Sequence, residues 1–217
     1  MLFRSSTTNN LVNHILRKNG KTVVSNLEGA NLIYGVATSL IKASNIFGKV
    51  DADFFVFEID ERFLPLIYDQ LPAKNLLITN LQKDQVQRNG DPDFIYRRIK
   101  KVAGDSELRL FLNNEEPRSK SFESDAKEVV TFGVGKHGES FGKNGSYVTM
   151  ACPKCHRKIT FEYYNNDGIG PFICKTAVLT ARGRRITVWK TRISQDGNSP
   201  CERLRSEERR VGKECRS

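Results

Sequence analysis

No cysteine occurs before position 152, and no apolar run approaches the roughly 20 residues that a membrane-spanning helix needs. Behind Met1 there is no apolar stretch of the kind that directs secretion, which makes the cytoplasm the default location. A complete phosphate-binding loop is also missing. Gly20-Lys21-Thr22 reproduces only the last three letters of G-x-x-x-x-G-K-[ST]. Five positions before Gly20 stands Ile15, a β-branched residue inside a helical pattern, where the loop needs a glycine to wrap the phosphates. The triplet also sits where a helix stops and a strand begins, the reverse of the strand-to-helix order that aims a helix N-terminus at a phosphate. These features exclude a nucleotide site at residues 16–26.

What is present supports a buried core: 38% hydrophobic residues, including 13 Phe, in 217 residues. The net charge of +10 suggests nucleic acid until its distribution is read. Residues 176–217 hold 11 Lys/Arg against 5 Asp/Glu, whereas residues 1–175 hold 24 against 20, so the body is nearly balanced and the basic signal lies in the tail.

Along the chain, residues 7–19 read as a helix with Leu11, Ile15 and Leu16 on one face and Gly20 as its C-cap. KTVVSN follows as a short strand, and residues 32–44 as a second helix. DADFFVFEIDE (51–61) is a continuous apolar run ending in acids, the pattern of a strand buried on both faces of a parallel sheet. A short helical piece in RFLPLIYDQL, a strand at 75–80, a helix at 92–103 and strands at 107–113 and 128–134 complete an alternation that implies an α/β sheet. Ligands on such sheets bind at the carboxyl ends of the strands, which singles out Glu58, Asp60 and Glu61, Thr79, Asn80 and the loop to Asp91, and Asn113–Pro117. Alone, the FEIDE acids offer a Mg2+ ligand or a solvated surface in equal measure.

From residue 135 the texture turns to Gly, Lys, Asn and Ser and leads into a cysteine module. Cys152 and Cys155 form C-x2-C, and Cys174 follows at zinc-ribbon spacing, with KITFEYY and GPFICK as hairpin strands. An odd, clustered set of cysteines points to metal rather than disulfides. The fourth position is Ala177, so His156 or Cys201 would have to complete a Zn2+ site; with no acid or base beside it, the site reads as structural.

Taken together, SNLEGANLIYGVATSLI, ADFFVFEIDERFLP, LLITNLQKDQVQRNGD, LFLNNEEP and CPKCHRKITFEYY occur in an order and spacing that resemble the Mur-ligase-like subunit family of lipid II isoglutaminyl synthase, over about residues 7–175. The resemblance implies an α/β Mur-ligase central domain (1–148, incomplete) and an inserted zinc ribbon (149–177, incomplete); residues 178–217 match nothing in the family, show little core periodicity and are expected to be a largely disordered basic tail. The resemblance also implies amidation of the α-carboxylate of D-glutamate in lipid II, through an acyl-phosphate made with ATP and Mg2+ and with ammonia from a GatD-like glutaminase partner. By the same resemblance Glu58 matches the Mg2+-binding acid, Asn80, Asp84 and Gln85 the nucleotide- and metal-facing loop, Asn113–Pro117 the adenine side, and Cys152, Cys155 and Cys174 three of four zinc thiolates.

The departures are the T-G-T-N-G-K-T loop, in whose place stands MLFRSSTTNN, and a second C-x2-C, which fails after Lys175. The expectation is therefore a fragment, inactive alone, without the C-terminal domain that carries the family's catalytic aspartate. Two alternatives compete: a basic zinc-ribbon module that binds nucleic acid, against which the near-neutral body speaks, and another Mur or folylpolyglutamate-type ligase, which would share the central domain without the cysteines.

Overall fold

The computed structural model describes residues 2–3, 6–26, 30–81, 92–142, 150–166, 168–177, 179–181 and 186–187. They all fall within one compact unit, Met1–Thr187. The chain opens with β1 (Leu2–Phe3), α1 (Ser6–Lys18) and β2 (Val23–Ser25), then α2 (Ile33–Ala43), β3 (Phe54–Val56), α3 (Leu64–Gln70) and β4 (Asn75–Ile78). It continues through α4 (Pro92–Ala103), β5 (Arg109–Asn113), α5 (Pro117–Ser121) and β6 (Glu128–Gly133). Four short strands follow: β7 (Thr160–Phe161), β8 (Phe172–Cys174), β9 (Leu179–Thr180) and β10 (Ile186–Thr187).

The main sheet runs β1-β4-β5-β6-β10, with every neighbouring pair parallel. β2 and β3 form a separate parallel pair, and β7-β8-β9 an antiparallel sheet. The core lies where α3 and α4 cover the main sheet: Leu64, Ile67 and Tyr68 meet Ile95, Ile99 and Val102 over Leu76, Ile78, Leu110 and Leu112. Alternation along β5 turns Leu110 and Leu112 inward, and each such buried leucine contributes about 1.5–3 kcal/mol.

Three expectations are corrected. On α1 the apolar face is outside: Leu11 is 56% and Ile15 49% exposed, while Asn9 and Asn13 are buried. The reason is a polar contact with β2, in which Asn13 Nδ2 donates to Asn9 Oδ1 (3.0 Å) and to Ser25 Oγ (3.1 Å). The run at 51–61 is a three-residue strand that is not buried on both faces, with Phe54 42% and Phe55 46% exposed. Among the described residues its strand partner is β2, in a two-stranded sheet apart from the main one. In the stretch read as a disordered tail, Leu179–Thr180 joins the antiparallel sheet and Ile186–Thr187 extends the main sheet beside β6. Two-residue segments suffice there because a preformed edge supplies the pairing. Residues 188–217, including Cys201, lie outside the described residues.

Candidate functional site

The parallel register of β1 with β4 pairs Phe3 with Ile78. Ser6, the first residue of α1, donates its hydroxyl to Glu58 Oε2 at 3.0 Å. Glu58 is buried just beyond β3, and Asn26, just beyond β2, clamps its backbone from both sides. Glu58 N–H donates to Asn26 Oδ1 (2.9 Å), and Asn26 Nδ2 donates to Glu58 O (2.8 Å). A carboxylate is thereby held at the positive end of a 13-residue helix. Asp60 is also fixed: burial opposes its ionisation, but the Arg62 guanidinium at 2.7 Å and the Arg62 N–H hold it below the usual carboxylate range.

Asn80 lies two residues beyond β4, and its Oδ1 is buried with no hydrogen-bond partner among the described residues. Asn113, at the end of β5, donates Nδ2 to Thr79 O (2.9 Å) and accepts the Glu115 N–H (2.9 Å). Both ends of its amide thus have partners within the protein, tying the carboxyl ends of β4 and β5 together. Asn80 and Asn113 follow the parallel strands β4 and β5, and Glu58 follows β3 of the separate parallel pair; such carboxyl ends are the edge where parallel sheets bind ligands. A buried carboxylate, a hydroxyl and an orphaned amide oxygen are hard oxygen donors, a set that fits Mg2+. Asp84 and Gln85 lie outside the described residues.

Gly20-Lys21-Thr22 stands at the opposite edge. Gly20, at φ +73°, closes α1 with paired bonds from Gly20 N–H to Arg17 O (3.0 Å) and from Lys21 N–H to Leu16 O (3.1 Å). Thr22 precedes β2 as Asp53 precedes β3, and the two are latched: Thr22 N–H and Oγ1 both donate to Asp53 Oδ2 at 2.9 Å. The Thr22 N–H, chiefly, holds the Asp53 carboxyl below its ordinary value.

The three cysteines converge. The sulfurs of Cys152, Cys155 and Cys174 lie within 4.8 Å of one another, with Cys155 and Cys174 3.4 Å apart. Cys152 Sγ accepts N–H bonds from Lys154 and Cys155, and Cys174 Sγ accepts the matching bonds from Thr176 and Ala177. Burial pushes the Cys152 thiol up; burial also acts on Cys174, but its N–H donors bring it below the ordinary value. Three soft sulfur donors in two such turns fit zinc. His156 is exposed, at φ +58°, and is not among the clustered ligands. The sheet beneath has its own core, in which Phe161 stacks on Tyr164 (4.7 Å) and packs with Phe172 and Leu179.

Glu115 ties the module to the main sheet, a role that composition did not reveal. Its buried carboxylate accepts N–H bonds from Val134 (3.2 Å), Gly135 (2.9 Å) and the Asn165 side chain (2.9 Å). Its carbonyl accepts from Gly170 N–H at 2.9 Å, where any Cβ would fall 2.2 Å from Tyr163 O. Its neighbour Glu116 caps α5 through the N–H groups of Arg118 and Ser119, though complete burial still pushes its carboxyl up. Ser6 and Asn26 were also missed. Their signal was positional: a serine opening a helix and an asparagine ending a strand.

The fold defines an α/β protein with parallel sheets and flanking helices. The solved structure of a pseudomurein peptide ligase type C from Methanothermus fervidus matches it with a TM-score of 0.64 at 16% identity, over 87% of this chain and 36% of that one. No protein-family model matches the chain. In sequence its homologues are MurT subunits of lipid II isoglutaminyl synthase (glutamine-hydrolyzing). The Staphylococcus aureus (strain COL) protein is 27% identical over 170 residues, and the Streptococcus pneumoniae protein 29% over 166. These alignments cover 78% and 74% of this chain but 38% and 36% of the relatives, so the chain spans well under half their length.

Proposed function

We propose that this chain is the nucleotide-handling part of an ATP-dependent amide ligase subunit of the MurT kind. The observation that carries the reading is Glu58, buried at the carboxyl edge and held by Ser6 at the start of α1. In this reading Glu58, with Ser6 and the Asn80 oxygen, would hold Mg2+, which neutralises phosphate charge during phosphoryl transfer. Asn113 ties the β4 and β5 ends together next to Asn80. Asp84 and Gln85 belong to the same loop by resemblance, and Cys152, Cys155 and Cys174 hold Zn2+ in a structural ribbon.

The substrate in this reading is the α-carboxylate of D-glutamate in lipid II. A carboxylate resists attack by ammonia, so the γ-phosphoryl group of ATP is transferred to its oxygen, releasing ADP. Ammonia supplied by a glutaminase partner then attacks the carbonyl carbon, and phosphate leaves. In this reading the chain contributes the nucleotide edge.

The test is equilibrium titration of the chain with a fluorescent ATP analogue, with and without Mg2+. Mg2+-dependent binding that Glu58→Gln weakens is the expected result. Binding indifferent to Mg2+ and to Glu58→Gln would overturn the reading, and salt-sensitive binding to DNA in its place would favour the nucleic-acid alternative.

A further inference from the structure

The two turns of the cysteine module are built alike up to one atom. In the first, Cys152 Sγ accepts N–H bonds from the residues two and three positions on, and the residue three positions on, Cys155, supplies a second sulfur. In the second, Cys174 Sγ accepts the same pair of bonds, from Thr176 and Ala177. The backbone has therefore closed the turn that would present a fourth thiolate, and a methyl group stands at that position. Ala177 packs against the cluster that contains Cys152, Cys155 and Cys174. Among the described residues nothing else joins the three sulfurs, His156 included.

A tetrahedral ion with metal–sulfur bonds of about 2.3 Å separates its sulfurs by about 3.8 Å. The observed cluster, with its closest pair at 3.4 Å and all pairs within 4.8 Å, spans that value. Three thiolates leave one corner of such a tetrahedron unfilled, and a divalent ion with three protein ligands keeps that position for an outside ligand.

We infer that the ribbon is a three-thiolate metal centre with an open fourth position on the Ala177 side, taken by an exchangeable small ligand: water by default, and an external thiolate where one is supplied. The inference rests on the reading that this module binds a divalent ion. Each cysteine thiol releases its proton on binding, and an incoming thiol does the same as its sulfur replaces water.

The experiment loads the full chain with Co2+ and records its absorption while 2-mercaptoethanol is titrated in. The wild-type spectrum is expected to move toward a four-sulfur form, with thiolate-to-metal absorbance rising by about one third as three sulfurs become four. Ala177→Cys should show that form from the outset and ignore the thiol. Replacing Cys201 and Cys215 together by Ser should leave the wild-type titration unchanged. A wild-type spectrum already of four-sulfur type and deaf to added thiol would overturn the open position, as would a spectrum altered by the Cys201/Cys215 double variant. Failure to bind Co2+ at all would overturn both the open position and the metal reading, while the first two outcomes leave the metal reading standing.

Discussion

Tyr68 shows how much a single residue owes to its surroundings. Its phenol, buried between α3 and α4, donates to Asp105 Oδ2 at 2.9 Å. Burial first, and the Asp105 carboxylate second, push its ionisation up to about 12. The folded state thus holds the proton more tightly than the unfolded chain, whose tyrosines titrate near 10. The stability this group contributes is present in full below about pH 10 and is lost as pH rises through about 12. Tyr68→Phe should therefore lose less stability than wild type between about pH 9 and pH 12, measured by urea unfolding; equal losses in the two proteins would refute the assignment. Gly20-Lys21-Thr22 carries the same lesson in reverse. Its letters suggest a phosphate, but its geometry is a helix stop latched to Asp53 at the edge away from Glu58.

Among the elements, the alternation of strands and helices was legible because buried parallel strands and amphipathic helices leave different periods. The helix expected at 92–103 is α4 residue for residue, and the cysteine hairpin strands fall inside KITFEYY and GPFICK. The α1 face was misread because hydrophobicity cannot anticipate that Asn9 and Asn13 meet Ser25 of β2. How the cysteine module docks was not legible either. It depends on Glu115 reaching two N–H groups after β6 and one on Asn165, separations of 19 to 50 residues. Glu115→Ala leaves the Val134 and Gly135 N–H groups without this acceptor, while Asn165 Nδ2 keeps Gly135 O, at a cost of about 2 kcal/mol. A urea midpoint no lower than that of wild type would show that Glu115 does not anchor the module.

At the scale of the whole molecule, the described residues form two cores, one between the main sheet and α3 and α4, the other around the cysteines. Metal removal should therefore act on one and spare the other. Treatment with a zinc chelator is expected to raise hydrogen exchange at Ile159, Phe161, Phe172 and Cys174, while Leu110 and Leu112 keep their protection, as mass spectrometry would read it. Equal loss in both cores would mean that they unfold as one unit.

The sequence by itself determined the alternation of the longer strands and helices, the location of the cysteine module and the class of relative, because hydrophobic period and cysteine spacing are local properties of the chain. The tertiary structure alone decided which face of α1 is buried, that Ser6 and Asn26 hold Glu58, that Glu115 joins the two cores, and that residues 186–187 pair with β6. Each of these depends on hydrogen bonds between residues far apart in the chain, and no local pattern encodes such a partner.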